Sequence, residues 1–178
     1  MRRTTLSDLL VVCLFFSGET MAQPTVQAGF SPEGSALQLV LNTINTAEEN
    51  IRLLGYSFTS PEVTRALITA KQRGVDVKVV VDWKANCAKG SAGAAAMNLL
   101  VNAGIPVRTV SKFSIMHDKV IITDGRNVET GSFNYSRAAA RSNSENALVI
   151  RDYPVLADTY LQHWQSRWET GTNWVYAS

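Results

Sequence analysis

Four polar side chains of different chemistry occur at short, regular spacing in this 178-residue chain. His117 and Lys119 are two residues apart, and so are Ser132 and Asn134. Side chains two apart on a β-strand lie on the same face of the sheet, so each pair can point into one site. An imidazole can attack or carry a proton, an ammonium supplies positive charge, and a hydroxyl and a carboxamide donate hydrogen bonds. Together these four groups suit a reaction at a phosphate.

The segment that joins the two pairs predicts a β-hairpin. Residues 117–124 alternate as a strand does, residues 124–127 (DGRN) are typical of a turn, and residues 128–134 can run back as a second strand. Gly131 leaves a second possibility open, because a glycine weakens a strand and the returning segment could leave the sheet early.

The length of the hairpin loop decides which residues face each other. A two-residue loop at residues 125–126 places His117 opposite Asn134 and Lys119 opposite Ser132. Moving the loop by one residue toward the N-terminus changes these partners but keeps the four side chains on one face. In either register we expect the imidazole, the ammonium, the hydroxyl and the carboxamide to gather in one small area.

The spacing H-x-K-x4-D-x6-G-S-x-N resembles the HKD signature of the phospholipase D superfamily. Its six positions are filled by His117, Lys119, Asp124, Gly131, Ser132 and Asn134. The chain length, the single copy of the motif and an apparent export signal are similar to those of the short bacterial Nuc-type endonucleases. Larger relatives carry two motif copies that meet in one active site. The resemblance therefore implies a homodimer in which two motifs face each other across a twofold axis.

The resemblance also implies a mechanism in two displacements. One His117 attacks phosphorus to form a phosphohistidine, while the partner's His117 protonates the leaving oxygen and then activates water. Lys119 and Asn134 of both chains would hold the nonbridging oxygens, with Ser132 as a further donor. One ring must be neutral and the other protonated, so we expect a bell-shaped pH profile. Two lysines replace the charge that a metal ion would supply, so we expect no metal and no cofactor.

Four further residues receive expected roles near this motif. In the family an acidic residue downstream of the motif orients the imidazole, and Glu145 is in a suitable position to do so, either for its own chain or for the partner. We expect Asp124 to be structural, holding the hairpin turn and the dimer seam. Arg137 and Arg141 are four residues apart, so on a helix they would share a face and could bind backbone phosphates beside the site.

The elements that must position these residues alternate between strands and helices. Strands are predicted at residues 24–30, 51–58, 75–82 and 105–110, and helices are predicted to begin at Ser31-Pro32-Glu33, at Ser60-Pro61-Glu62 and near residue 92. A C-terminal helix carries an apolar stripe formed by Leu156, Tyr160, Trp164 and Trp168. This order predicts an α/β fold of one domain, with a mixed, largely parallel sheet and helices on both faces.

Composition excludes several classes of protein. The chain is 46% hydrophobic and 18% charged, which excludes a disordered chain, and its net charge of +2 excludes a long polycationic arm. Two cysteines exclude a disulfide framework and a four-cysteine zinc site.

Residues 1–22 have the layout of a secretory signal peptide. Two arginines precede the apolar run LLVVCLFF, and small residues follow it. The alternative is an N-terminal membrane anchor. We therefore expect a mature domain at residues 23–178 that is periplasmic or secreted and has no stable membrane association.

These observations predict an exported, sequence-nonspecific endonuclease that acts on DNA, with RNA as a further substrate left open. No base-reading motif is visible, and scattered basic residues could follow a nucleic-acid backbone. A lipid phosphodiesterase with phospholipase D activity shares the motif and is the alternative. A catalytically silent binding or scaffold protein is a third hypothesis, against which the intact motif argues.

Overall fold

The computed structural model describes residues 23–176 and contains an eight-stranded sheet. The strands are β1 (Thr25–Ser31), β2 (Asn50–Gly55), β3 (Asp76–Asp82), β4 (Val107–Val110), β5 (Lys119–Thr123), β6 (Asn127–Gly131), β7 (Glu145–Arg151) and β8 (Thr172–Asn173). The helices are α1 (Ser35–Asn45), α2 (Pro61–Gln72), α3 (Trp83–Asn86), α4 (Ala92–Asn102), α5 (Arg137–Arg141) and α6 (Pro154–Thr170). The predicted signal peptide, residues 1–22, lies outside the described residues.

The strands are arranged in the order β1-β7-β6-β5-β2-β3-β4-β8. The expected α/β class, the mixed sheet and the single domain are confirmed, but the expectation of a largely parallel sheet needs correction. Within residues 23–176, only the β2–β3 and β3–β4 pairs are parallel. The reason lies in the connections: α2 and α4 are crossover helices, whereas a tight turn joins β5 to β6 and forces an antiparallel pair.

Helices cover both faces of the sheet, as predicted. On one face, α1, α2 and α4 bury Val40, Leu67 and Met97 in the larger hydrophobic core. On the other face, α6 buries Trp164, whose indole N–H donates to the carbonyl oxygen of Leu53 in β2 at 3.1 Å. The predicted stripe of α6 forms this second core, because its remaining members are partly buried beside Trp164.

The repeated Ser-Pro-Glu pattern starts a helix at one of its two positions. Ser60 caps α2, since its hydroxyl oxygen accepts from the Val63 backbone N–H at 3.3 Å and Pro61 is the first helical residue. The prediction that Ser31 starts a helix is wrong. Ser31 is the last residue of β1 and pairs with Glu145 of β7, so α1 begins only at Ser35.

The Asp124 carboxylate joins the β5–β6 hairpin to the start of β2 through hydrogen bonds. One of its carboxylate oxygens accepts from the backbone N–H groups of Glu49 at 2.8 Å and Asn50 at 3.1 Å, and the other accepts from Glu48 at 3.1 Å. Asp124 has a φ of 54° in the hairpin turn. These contacts place it at the far end of β5 from His117, where it holds the turn.

A fully buried acid, Glu129, lies on β6 between Ile121 of β5 and Val149 of β7. The Tyr135 hydroxyl donates to one of its carboxyl oxygens at 2.9 Å, and the other oxygen has no hydrogen-bond partner within residues 23–176. Burial raises the pKa of Glu129 to about 8, against the opposing effect of the Tyr135 hydrogen bond. The carboxyl group is therefore protonated in the folded protein over most of the neutral range.

We expect Glu129→Gln to change how stability depends on pH. Between the ordinary value of 4.5 and about 8, the folded protein holds a proton that the unfolded chain has released, so the free energy of unfolding falls as pH rises. The glutamine variant lacks this slope. Near pH 8 its free energy of unfolding should therefore exceed that of the wild type by on the order of 2–4 kcal/mol. Urea unfolding at several pH values measures the slope.

Tyr135→Phe is the matched control for this prediction. It removes the hydrogen bond to Glu129 but keeps the buried acid, so it should lower stability by about 1 kcal/mol and retain the slope. Equal slopes in the wild type and Glu129→Gln would contradict the prediction.

Candidate active site

The residues of the motif, except Asp124, meet at one edge of the sheet. β5 and β7 begin at this edge, and β6 ends there, because the three strands are antiparallel neighbours. They surround an open depression of about 650 Å3 lined by His117, Lys119, Gly131, Ser132, Asn134, Glu145 and Asn146. The structure therefore brings together the four polar groups singled out in the sequence, along with Glu145.

The hairpin register differs from both predicted alternatives. Thr123 pairs with Asn127, so the loop contains three residues, 124–126, rather than two. In this register, a regular continuation of β6 would direct Ser132 to the face of the sheet opposite Lys119. Something must therefore change the alternation before the second half of the motif can reach the depression.

A β-bulge after Gly131 makes this change. The backbone N–H groups of Ser132 and Phe133 both donate to the carbonyl oxygen of Asn146, at 3.1 Å and 3.2 Å. Two residues just beyond the end of β6 thus oppose one residue of β7, which interrupts the regular alternation of a β-strand. Gly131 has a φ of 152°, and a Cβ atom there would collide with the Asn146 carbonyl oxygen. Glycine is therefore required at this point of the motif.

Lys119 supplies a largely desolvated positive charge. Its side chain is only 6% exposed, and its Nζ donates to the carbonyl oxygen of His117 at 2.8 Å and lies 5.5 Å from the ring centre of Tyr56. Burial lowers the pKa of Lys119, although the nearby carboxylates of Asp118 and Glu145 act in the opposite direction. An ammonium removed from water in this way interacts strongly with an anion that enters the depression.

His117 is exposed at the rim and packs against one aromatic ring. The centres of the His117 and Tyr56 rings are 4.7 Å apart, with the planes tilted by 59°. Tyr56 follows the last residue of β2, so this contact ties the imidazole to the neighbouring strand. Sequence reasoning did not single out Tyr56. Its position near the end of the strand predicted at residues 51–58 was the available signal.

Glu145 is held by residues of its own chain. The Ser132 hydroxyl donates to one of its carboxylate oxygens at 2.6 Å, and the Asn143 side-chain amide donates to the other at 2.9 Å. Glu145 makes no hydrogen bond to His117 of the same chain within residues 23–176. The expectation that it orients an imidazole, of its own chain or of a partner, stays a prediction.

Ser132 is occupied by the same network. Its single hydroxyl proton is donated to Glu145, and its oxygen accepts from the backbone N–H of Asn146 at 3.0 Å. In this arrangement Ser132 positions the carboxylate. To donate to a phosphate, as the sequence predicted, its hydroxyl would have to rotate.

Asn134 keeps an unsatisfied polar group at the depression. Its side-chain oxygen is buried and has no hydrogen-bond partner within residues 23–176. A carboxamide oxygen only accepts hydrogen bonds, so a phosphate oxygen would have to accept from the NH2 group of the same side chain.

The two arginines do not join the site. Arg137 and Arg141 are exposed on α5, as the spacing predicted, but neither lines the depression. A guanidinium nitrogen of Arg141 lies 3.8 Å from a carboxylate oxygen of Glu62 on α2, which draws this side chain toward another helix. Their predicted role in substrate binding stays a prediction.

The other histidine of the chain is engaged elsewhere. His163 on α6 has its Nε2 atom 3.1 Å from a carboxylate oxygen of Asp118. Asp118 lies between His117 and Lys119 and alternates to the other side of the chain. Of the two histidines of the chain, only His117 therefore lines the depression.

Residues 23–176 contain neither a metal-binding cluster nor a membrane-spanning helix. No group of three or more histidine, cysteine, aspartate or glutamate side chains in this range is placed to hold a metal ion. No helix in the same range has the length and apolar character needed to cross a membrane.

Comparison with known proteins identifies a family. Residues 40–168 match the family described as "Cardiolipin synthase, PLD-like domain". The chain is 38% identical over 147 residues to a phospholipase D of Rickettsia bellii, which covers 83% of this chain and 71% of the relative. It is 35% identical over 139 residues to the human mitochondrial cardiolipin hydrolase, covering 78% of this chain and 53% of that protein.

A solved structure agrees with this assignment. The fold matches that of Nuc from Salmonella typhimurium, described as a phospholipase D family member, with a TM-score of 0.84. The two sequences are 54% identical, and the match covers 86% of this chain and all of the other.

We expect Gly131→Ala to damage both stability and the site. The added Cβ meets the Asn146 carbonyl at an unfavourable φ, so the free energy of unfolding should fall by roughly 2–4 kcal/mol. Displacement of Ser132 and Asn134 should also reduce hydrolysis of a chromogenic phosphodiester. Thermal unfolding and an activity assay measure the two effects.

Gly125→Ala provides the matched control. Gly125 also has a positive φ, 61°, but a Cβ there meets nothing within 4 Å, so backbone strain alone should cost about 1–2 kcal/mol. Gly131→Ala would contradict the bulge argument if it were as stable and as active as Gly125→Ala.

Proposed function

This chain belongs to the phospholipase D superfamily as a single-motif, Nuc-type member, and we propose that it is an endonuclease whose active site is shared between two copies of the chain. One observation carries this proposal. Each protomer places a buried cation, a carboxamide and only one imidazole at an open depression. Phosphodiester hydrolysis by the proposed route needs two imidazoles, so the second must come from a partner.

In the first step, His117 of one protomer attacks the phosphorus atom. A P–N bond forms, the P–O bond to the leaving group breaks, and the partner's His117 gives its proton to the departing oxygen. In the second step, the now neutral partner's His117 takes a proton from water, which attacks phosphorus and releases the first imidazole. The sum is cleavage of one phosphodiester by one water molecule, with both rings returned to their starting states.

Lys119 and Asn134 stabilise the charge that develops between these steps. The nonbridging oxygens gain negative charge in the pentacoordinate state, and a desolvated ammonium acts on that charge more strongly than one in water. With one Lys119 from each protomer, two positive charges face the phosphate. This arrangement supports the proposal that the reaction needs no metal ion.

The choice of nucleic acid as substrate rests on the likeness to Nuc, which spans all of that chain. We propose nonspecific cleavage of DNA, with RNA as a second substrate to be tested. The second candidate is phospholipase D activity, which is favoured by the names of the Rickettsia and human relatives. Parallel assays with plasmid DNA and with vesicles of phosphatidylcholine or cardiolipin discriminate between the two.

We further propose that the protein is exported to the periplasm or secreted. The charged and apolar pattern of residues 1–22 supports this proposal. N-terminal sequencing of protein from a bacterial periplasmic fraction, with cleavage after Ala22, would test it.

A heterodimer with one inactive subunit tests the shared site. We expect His117→Ala to lose at least about 100-fold in plasmid cleavage, because an attacking or protonating group is missing. A heterodimer of one wild-type and one His117→Ala chain, purified through two different tags, should be equally inactive. Retention of half the wild-type activity would show that each protomer works alone.

His163→Gln is the histidine control for this experiment. His163 pairs with Asp118 away from the depression, so a heterodimer that carries this change in one subunit should keep its activity. Loss of activity in this heterodimer would mean that any histidine change disturbs the dimer.

Activity in the presence of a chelator tests the proposed source of positive charge. We expect plasmid cleavage to continue in excess EDTA, because the two Lys119 ammonium groups act where a metal ion would. Lys119→Met should reduce the rate by about 100- to 1000-fold with or without added Mg2+. Complete loss in EDTA with recovery on adding a divalent cation would refute the metal-free mechanism.

A further inference from the structure

An exposed tryptophan with flanking lysines lies beside the proposed active site. Trp83, the first residue of α3, is 49% exposed although its ring is the largest apolar side chain available to the protein. Lys84 follows it and is exposed. In the segment that leads to His117, Lys112 is exposed and Ile115 is 48% exposed. We call these four residues, Trp83, Lys84, Lys112 and Ile115, the Trp83 platform.

Asp82 ties the two halves of the platform together. One oxygen of its buried carboxylate accepts from the Ala85 backbone N–H at 2.8 Å and so caps α3. The other oxygen accepts from the backbone N–H of Met116, also at 2.8 Å. Met116 immediately precedes His117, so α3 is anchored directly to the segment that carries the proposed nucleophile.

Asn86 ties the same helix to the other side of the imidazole. Its side-chain amide donates to the carbonyl oxygens of Tyr56 at 2.6 Å and Asp82 at 2.8 Å, and its side-chain oxygen accepts from the Phe58 N–H at 2.8 Å. Tyr56 is the residue whose ring packs against His117. The platform is therefore held at a defined position next to the rim of the depression.

We propose that the Trp83 platform binds an unpaired nucleotide next to the phosphate that is cleaved. This inference rests on the proposed nuclease function. The Trp83 ring stacks on a base, and Lys84 and Lys112 neutralise backbone phosphates on either side. A base offers its flat face to a side chain only when it leaves the duplex stack, so the enzyme prefers single-stranded substrate.

The charges favour this occupant over a second copy of the chain. Lysine is depleted at the centre of protein–protein interfaces, and two facing copies of the platform would bring like charges together. A polyanion with flat bases complements both the cations and the ring. A membrane surface is less suitable, because one aromatic ring between lysines offers little of the broad apolar face that interfacial binding needs.

Steady-state kinetics of Trp83 variants test the platform. The substrates are a single-stranded oligonucleotide of about 12 nucleotides, the corresponding duplex, and bis(p-nitrophenyl) phosphate. Trp83→Ala should raise KM for the single strand roughly 5- to 100-fold, which corresponds to one lost stacking contact. KM for the duplex and the small diester should rise much less. Trp83→Phe should recover most of the loss, since it keeps a ring.

Tyr153→Ala is the matched control. Tyr153 is 43% exposed, but its backbone N–H donates to Arg126 in the β5–β6 turn, at the opposite edge of the sheet. Its removal should leave the ratio of the KM values for single strand and duplex unchanged.

Lys84→Ala and Lys112→Ala test the lysines of the platform. Each change should reduce the slope of the logarithm of single-strand affinity against the logarithm of salt concentration by about one.

Three results would overturn the proposal. An equal rise in KM for all three substrates would mean that Trp83 only supports the depression. A change of Trp83→Ala from dimer to monomer in light scattering would assign the platform to the subunit interface. A selective loss of hydrolysis of cardiolipin vesicles would assign it to lipid.

The Trp83 platform and the proposed nuclease function are refuted by different results. Wild-type protein that cuts no nucleic acid would refute the nuclease function itself. Wild-type protein that cuts both substrates, with an unchanged single-strand KM in Trp83→Ala, would refute the platform alone.

Discussion

The carbonyl oxygen of Asn146 accepts hydrogen bonds from two consecutive residues, Ser132 and Phe133, and the proposed site depends on this double contact. A sheet in strict alternation would place Ser132 on the face away from Lys119, since the hairpin loop contains three residues. The bulge just beyond the end of β6 interrupts this alternation and lets Ser132 line the depression together with Lys119, at the cost of local backbone strain. Gly131 tolerates this strain, which is the physical reason why the motif needs a glycine before its serine.

Alternation along a single short segment also separates the charges of the site. His117 and Lys119 face the depression, whereas Asp118 between them pairs with His163 of α6. The carboxylate between the two functional residues is thereby directed away from the depression and toward α6. Deeper in the sheet, Glu129 is kept protonated by burial, so it adds no negative charge behind the site at neutral pH.

Prediction from sequence succeeded for features that depend on neighbouring residues and failed for features that depend on contacts with distant ones. Ser60 caps α2 and Arg137 and Arg141 share a short helix, because caps and helical spacing act over a few residues. Ser31, in the same local pattern as Ser60, ends a strand instead, because pairing with Glu145 extends β1 as far as this residue. β7 was not predicted at all, and its antiparallel contacts with β1 and β6 account for much of the error about sheet direction.

The amino-acid sequence alone determined which chemical groups are available: one imidazole, one ammonium, one hydroxyl and one carboxamide at motif spacing, with the helices and most strands that carry them. It did so because propensity, capping and period-two alternation are short-range effects. Tertiary structure alone decided that Ser132 is committed to Glu145, that Arg141 turns toward Glu62, and that Tyr56 packs on His117. Those contacts join residues from separate elements, and they exist only after strand order and register bring the elements together.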